Sequence, residues 1–115
     1  MQVADPGHWY KLRSLDGGES QDLIFVKREG LGYPGNIGHH PGTILQEVWR
    51  ASIERLKYVD AQISHPCNER AIACLRYALE LLEKRAAERH GRSIAVQTGP
   101  IELWETQENG HVLWK

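Results

Sequence analysis

Two amphipathic segments on either side of a short Ser64-His65-Pro66 sequence constrain the fold of this chain most strongly. Apolar and small residues recur at alternating spacings of three and four, namely Leu45, Trp49, Ser52, Leu56, Val59 and Ile63 in the first segment and Ile72, Leu75, Leu79, Leu82 and Ala86 in the second. This spacing places each set on one face of an α-helix. Proline is accepted in a first helical turn but not further in, so Pro66 opens the second helix. Two long helices joined so closely are expected to lie antiparallel, as a helical hairpin.

The ends of this hairpin are also marked in the sequence. Thr43 to Gln46 reads Thr-x-x-Gln, a capping-box pattern that predicts the start of the first helix, which then ends near Gln62. The second helix is expected to stop near His90, because Gly91 follows and glycine is typical of helix C-termini. The helical hairpin is therefore predicted over residues 43–92.

Residues 1–42, before the hairpin, have strand and loop character. His8–Arg13 and Asp22–Arg28 flank a glycine-containing turn, which predicts a β-hairpin in which Leu23–Val26 is covered on both faces. Residues 30–42 hold five of the eleven glycines and two of the five prolines. This composition predicts an irregular linker or binding loop.

Residues 93–115, after the hairpin, form a predicted C-terminal β segment. Strands are expected at Ile94–Gln97, Ile101–Thr106 and His111–Trp114, with a turn at Asn109-Gly110 between the last two. The sequence thus predicts a single α+β domain in which an antiparallel helical hairpin is flanked by N-terminal and C-terminal β-hairpins.

Charge and composition exclude several classes of partner. The net charge of -1 provides no general basic field, so duplex nucleic acid is not expected. No apolar run approaches the length of a membrane span and residues 1–18 show no leader pattern, so we expect a cytoplasmic protein without membrane contact. Cys67 and Cys74 would lie about 10 Å apart along one helix, too far for a disulfide. They are expected to be reduced thiols.

Arg85 and Arg89 stand one turn apart at the C-terminal end of the second helix. Arginine at this place can simply complement the helix dipole. In this chain Arg89 also continues the apolar seam, and two planar guanidinium groups at this spacing suit a phosphate or pyrophosphate. Arg92 is a candidate third charge. These arginines form a candidate anion site.

Tyr58 and Asn68 lie near the reversal between the two helices. A tyrosine ring can stack on a nucleobase while an amide reads the edge of the base, so this pair is a candidate base-recognition site. The alternatives are that Tyr58 is a half-buried packing residue and that Asn68 caps the second helix.

The spacing of these candidates has a geometric consequence. Asn68 and Arg85 are seventeen residues apart on one predicted helix, which places them roughly 25 Å apart along its axis. No small ligand bridges that distance within one chain. A site that uses both ends requires two antiparallel copies, which would create two equivalent sites per dimer.

Metal binding and catalysis are not expected. The candidate metal ligands are His39, His40, His65, Cys67 and Cys74. They form no Cys-x-x-Cys or His-x-x-x-His pattern, so no metal site is predicted. The glycine-rich loop lacks a Gly-Lys-Ser/Thr ending, so nucleotide hydrolysis is not indicated. A catalytic Cys-His pair is the alternative, but Cys74 lies near the apolar seam and Cys67 has no evident activating base in a fixed geometry. We therefore expect no catalytic residue, no cofactor and no enzymatic activity.

One pattern extends across both predicted helices: Arg55-Leu56-x-Tyr58 is followed by Asn68, Ala71-Ile72, Leu75, Ala78-Leu79, Leu82, Arg85 and Arg89. With this pattern the residues from Thr43 to Arg92 resemble the helical hairpin domain of phage anti-Thoeris and anti-CBASS sponge proteins. The chain departs from the family pattern where Pro66-Cys67 directly precedes Asn68, and in its C-terminal β segment.

This resemblance implies a function. Proteins of that family assemble into dimers or higher oligomers such as hexamers, and they bind cyclic nucleotide or cyclic ADP-ribose-type immune messengers without cleaving them. It also implies that Tyr58, Asn68, Arg85 and Arg89 contact the ligand, from two protomers in the cytoplasm of an infected host cell. Two alternatives remain open. One is a small structural phage protein whose hairpin only drives oligomerisation, and the other is an enzyme that degrades the same nucleotide.

Overall fold

The computed structural model describes residues 1–91 together with the backbone of residues 104–106 and 112–114. Its elements in chain order are β1 (Gln2–Asp5), β2 (Trp9–Leu12), β3 (Gln21–Ile24), α1 (Leu45–Gln62), α2 (Pro66–Arg89), β4 (Trp104–Thr106) and β5 (Val112–Trp114). This combination of two helices with antiparallel strands confirms the α+β class. The chain forms two compact units, Met1–Leu45 and Gln46–Lys115.

The first unit is built on an antiparallel sheet with the strand order β1-β2-β3. The predicted hairpin is confirmed, because β2 pairs with β3 from Trp9 opposite Ile24 to Leu12 opposite Gln21. The residues from Leu23 to Val26 are half-buried rather than covered on both faces.

Strand β1 was not predicted. It joins β2 through Asp5-Pro6-Gly7-His8, where the His8 N–H donates to the Asp5 carbonyl at 2.9 Å. Gly7 has a φ of +83°. Proline followed by a glycine with positive φ is the pattern of a type II turn, which reverses the chain between the two strands.

The glycine-rich loop after β3 is irregular, as predicted, but it is closed at its base. Lys27 and His40 exchange two backbone hydrogen bonds of 3.0 and 3.1 Å. The Lys27 ammonium also contacts Oδ2 of Asp5 at 2.7 Å, and the Glu29 carboxylate accepts from the Gly38 N–H at 2.9 Å. The loop is therefore closed by backbone bonds between Lys27 and His40, and the Lys27–Asp5 ion pair anchors its base to β1.

Thr43 pairs with the end of β3 instead of capping the first helix. Its N–H donates to the Ile24 carbonyl at 2.8 Å, and its carbonyl accepts from the Val26 N–H at 2.9 Å. Helix α1 begins at Leu45, so Thr43 precedes the N-cap position. The predicted capping box is therefore wrong, since the backbone of Thr43 is already committed to the sheet.

The reversal and the end of α2 lie where they were predicted, whereas α1 begins at Leu45 rather than directly after Thr43. Helix α1 ends at Gln62, and α2 starts at Pro66 with His65 as its N-cap residue. The His65 ring accepts from the Cys67 N–H at 3.0 Å. Gly91, with a φ of +73°, follows the end of α2 and supplies the left-handed conformation that stops it.

An ion pair joins the two helices far from their reversal. The Arg50 guanidinium contacts Glu47 on its own helix and Glu83 on α2, each at 2.8 Å. These contacts raise the pKa of Arg50, with the hydrogen bond to Glu47 as the largest cause and that to Glu83 next. The two helices must therefore lie beside each other at this point.

Burial in the helical unit follows the predicted seams with one-residue displacements. Ile53 is 7% exposed and Ala87 is 5% exposed, whereas the sequence analysis named their neighbours Ser52 and Ala86. The other seam residues are half-buried, apart from the exposed Leu45 and Ile63. Within residues 1–91, Ile53 and Ala87 are the only buried apolar side chains, so the helices leave much apolar surface uncovered.

The C-terminal strands are confirmed in part. Strands β4 and β5 pair antiparallel, with Trp104 opposite Trp114 and Thr106 opposite Val112. The predicted strand at 94–97, the predicted turn at 109–110 and Arg92 lie outside the described residues.

Gly42 provides a test of the close packing between the loop end and β3. A Cβ at Gly42 would lie 2.6 Å from the Val26 nitrogen and 2.7 Å from the Ile24 oxygen, both backbone atoms that cannot move aside freely. Gly42→Ala should therefore destabilise the protein by roughly 1–3 kcal/mol, the usual scale of overpacking. Urea denaturation followed by circular dichroism measures this difference.

Gly32 supplies the matched control, since a Cβ there meets nothing within 4 Å and the glycine has no positive φ. Gly32→Ala should leave the free energy of unfolding unchanged within about 0.5 kcal/mol. Equal stability of the Gly42→Ala and Gly32→Ala proteins would contradict the described packing.

Candidate functional site

The reversal between α1 and α2 is organised around the carboxylate of Asp60. Oδ1 of Asp60 accepts from the His65 N–H at 3.1 Å and from Nδ2 of Asn68 at 3.2 Å. These bonds, the His65 bond first, hold the pKa of Asp60 below its ordinary value of 3.8, and the Ser64 side chain adds a smaller contribution. A single ionised carboxylate thus joins the last turn of α1 to the first turn of α2.

Asn68 lies at the third position of α2 and is half-buried. Its Nδ2 also approaches the Ile63 carbonyl at 3.5 Å. Because His65 is the N-cap residue, the alternative that Asn68 caps α2 is wrong. Asp60 was not predicted as a site residue, although a carboxylate just before a helical reversal is able to accept from the free N–H groups of the next helix.

Tyr58 is 56% exposed, so it is not a half-buried packing residue. The Arg55 guanidinium lies 5.6 Å from the centre of its ring, which is within the range of a cation–π contact. Nε2 of Gln62 donates to the Tyr58 hydroxyl at 3.2 Å. The two neighbours, one turn before and one turn after, restrain the ring while leaving most of it accessible.

The structure does not bring Tyr58 and Asn68 side by side. Asp60, which binds Asn68, is two residues after Tyr58 on a continuous helix, so the two side chains point about 200° apart around α1. Tyr58 therefore lies on the side of α1 that faces away from Asn68, and the expected base-recognition pair is not formed within one chain.

Arg85 and Arg89 are both exposed in the last turns of α2. Among residues 1–91, neither guanidinium has a carboxylate within ion-pair distance, whereas the neighbouring Lys84 contacts Glu88 at 3.8 Å. Both arginines are two residues from the buried Ala87, so they project from the side of the helix opposite to it. They offer two unneutralised planar cations about one turn apart.

The two ends of α2 are separated within one chain, as predicted. The helix runs without a break from Pro66 to Arg89, so Asn68 and Arg85 are roughly 25 Å apart along its axis. One chain therefore presents three separate surfaces: the Asn68 end of α2, the Arg85 end of α2, and the Tyr58 side of α1.

In the described part of the chain, the cysteines and histidines named as candidate metal ligands do not form a metal site. Cys67 is exposed and Cys74 is half-buried, and both are free. Burial raises the pKa of the Cys74 thiol, which disfavours the reactive thiolate. Within the described residues there is no group of three metal-ligating side chains, and no helix there is long and apolar enough to cross a membrane.

Comparisons with protein-family models, curated proteins and solved structures found no match for this chain.

The bound Asp60 carboxylate predicts a dependence of stability on acid pH. A carboxyl group whose pKa is lowered in the folded state stabilises that state above the unfolded pKa, and the contribution is lost as the pH falls through the folded pKa. Asp60→Asn should therefore lower the melting temperature at neutral pH. Below pH 3.8 the difference from the wild type should shrink, because the contribution of wild-type Asp60 is lost as the pH falls through its lowered pKa.

Asp16→Asn is the matched control, since Asp16 is exposed and makes no hydrogen bond or ion pair with any described residue. It should not change the melting temperature at either pH. A deficit of Asp60→Asn that is equally large at both pH values, measured by circular dichroism, would show that the charge of Asp60 does not stabilise the reversal.

Proposed function

We propose that this protein is a phage anti-defence sponge that binds and sequesters a cyclic nucleotide or cyclic ADP-ribose-type messenger without cleaving it. It acts in the cytoplasm of the infected host cell. The observation that carries this proposal is the exposed pair Arg85 and Arg89 at the end of α2, which has no ion-pair partner among residues 1–91. Bidentate guanidinium groups suit the phosphate or pyrophosphate that such messengers share. The resemblance of residues 43–92 to the sponge hairpins supports the same class of ligand.

A stripe on the outer side of α2 supports pairing with a second copy. It follows alternating spacings of four and three and consists of Cys67, Ala71, Cys74, Ala78, Leu81 and Arg85. Its central residues are small, which lets two helix backbones approach closely, and Leu81 is 41% exposed. An antiparallel partner helix would cover this apolar surface.

The spacing of the stripe favours one register. If Cys74 of one copy meets Ala78 of the other, then Ala71 meets Leu81 and Cys67 meets Arg85. This register places Arg85 of each copy beside Cys67 and Asn68 of the other copy. Two equivalent sites result, each with the amide from one protomer and the arginines from its partner. Arg92 follows Arg89 in the sequence and is proposed to add a third cation to this site.

Tyr58 lies on the side of α1 that faces away from Asn68. We therefore assign its stacking role to the contact between neighbouring dimers. Its restrained and accessible ring can cover a base that is held by an adjacent dimer. Such an arrangement favours an assembly larger than a dimer, such as a hexamer. The repeating unit of this assembly is the antiparallel helical hairpin.

The fate of the bound ligand separates this function from its two alternatives. After incubation with candidate messengers and removal of free ligand, the protein is heated and the released material is analysed by chromatography. A sponge releases the intact messenger, an enzyme that degrades the nucleotide releases product, and a structural protein takes up neither.

Removal of either arginine should weaken binding without unfolding the protein. Arg85→Ala and Arg89→Ala should each reduce messenger affinity by roughly 1.5–3 kcal/mol, the scale of a hydrogen bond to a charged group. Calorimetric titration measures the affinity, and circular dichroism should show little change in stability because both residues are exposed.

Arg76→Ala is the matched control for this experiment. Arg76 is also exposed on α2, but it is nine residues before Arg85 and therefore half a turn around the helix. Its removal should leave the affinity unchanged. If all three variants bind messenger as tightly as the wild type does, Arg85 and Arg89 do not contact the ligand and only complement the helix dipole.

Complementation between variants tests whether each site is shared. Asn68→Ala and the double variant Arg85→Ala/Arg89→Ala should each bind messenger poorly when prepared alone. In a mixed antiparallel dimer one site carries both defects and the other carries neither, so mixing should restore about half of the sites in each heterodimer. If binding stays absent while mass spectrometry shows that subunits exchange, each site lies within a single chain.

A further inference from the structure

The orientation of the Asn68 side-chain amide is fixed by what surrounds it. Its Nδ2 faces two oxygens, Oδ1 of Asp60 at 3.2 Å and the Ile63 carbonyl at 3.5 Å. Both oxygens can only accept hydrogen bonds. Rotation of the amide by half a turn would set Oδ1 of Asn68 against an ionised carboxylate, with no proton between them.

The ionised state of Asp60 strengthens this restraint. The His65 N–H and the Asn68 amide together lower the pKa of Asp60, so this carboxylate carries its charge at neutral pH and remains an acceptor only. Hydrogen bonds to a charged partner are about twice as strong as bonds between neutral groups. The amide is therefore held in one orientation.

The donors and the acceptor of the Asn68 amide therefore have different roles. Its two N–H donors are directed to Asp60 and Ile63, within the same chain. Its Oδ1 accepts no hydrogen bond from any residue in the described part of the protein. The only group that Asn68 can offer to a ligand is thus a hydrogen-bond acceptor.

We infer that the ligand presents a hydrogen-bond donor to Asn68, either the exocyclic amino group of a base such as adenine or a ribose hydroxyl. This inference rests on the proposed function, because it assumes that Asn68 contacts the messenger. An asparagine with a free amide can pair with adenine through both a donor and an acceptor. Asn68 cannot, so it selects for a donor group on the ligand and against a carbonyl oxygen in the same place. Asp60 acts as a positioning residue.

The inference is tested first with ligand pairs on the unmodified protein. The first pair is cyclic di-AMP and cyclic di-IMP, in which the adenine amino group is replaced by a carbonyl oxygen. The second pair is a cyclic ADP-ribose isomer closed through its two riboses, so that its adenine amino group is free, and its hypoxanthine counterpart. A third arm uses the form of whichever adenine ligand binds in which one free ribose hydroxyl is replaced by hydrogen, which distinguishes a ribose hydroxyl from the base as the donor.

Calorimetry should show that one of these replacements, at the base or at the ribose, weakens binding by roughly 10- to 100-fold, since the acceptor at Asn68 is left unpaired. In the Asp60→Asn protein the amide is no longer held by a charge and can rotate. That variant should lose most of the discrimination between the two ligands of a pair while it retains binding. The Asp16→Asn control should discriminate as the wild type does.

The possible failures are distinguishable. If an adenine messenger binds but neither replacement changes its affinity, the inference about Asn68 is overturned and the sponge function stands. Discrimination that persists unchanged in Asp60→Asn also overturns it, because the selectivity then arises elsewhere. If no messenger of either type binds, the proposed function fails and the inference fails with it.

Discussion

The contact of the Asp60 carboxylate with the start of α2 is the interaction on which the helical unit depends. It joins the backbone of His65 and the side chain of Asn68 to the last turn of α1. One carboxylate therefore holds both the turn and the Asn68 side chain in place. It satisfies an N–H at the helix start that would otherwise lack a partner. It also commits the Asn68 amide, which leaves only an oxygen for any ligand. The turn and the chemistry of the candidate site therefore have one origin.

The length of α2 determines where the remaining groups lie. A helix from Pro66 to Arg89 spans roughly 36 Å, and nothing in one chain brings its ends together. The exposed arginines at the far end have no internal counter-charge among the described residues, and the outer stripe of the same helix is small and apolar. In the proposed dimer, a second copy in the antiparallel direction would cover the stripe and would bring the arginines to the Asn68 end.

Much of the fold could be predicted from the sequence, because the helices are specified by strong local signals. The apolar spacing predicts where the helices run, Pro66 predicts where α2 begins and Gly91 predicts where it ends. Each of these signals acts within its own segment and does not depend on the rest of the chain. Strand β1 was missed although Pro6-Gly7 marks its turn, since only Val3 in that strand gives an apolar signal. The Thr43 capping box failed because a local pattern cannot show that the same backbone is paired with β3.

The candidate site was less predictable, for reasons of geometry. Sequence proximity placed Tyr58 and Asn68 together, but the 200° rotation between Tyr58 and Asp60 separates them around α1. The orientation of the Asn68 amide depends on a contact across the reversal, and no pattern within α2 encodes it. The positions of Arg85 and Arg89 were foreseen, because a continuous helix fixes the spacing of its residues.

Native mass spectrometry of the protein with its messenger tests whether each site is completed by a second copy. We expect ligand bound only to dimers or to multiples of dimers, with two intact messengers per dimer and none on the free monomer. Dissociation of the assembly by dilution should release the ligand. A monomer that carries one intact messenger would contradict the account, because α2 holds Asn68 and Arg85 too far apart for one chain to use both.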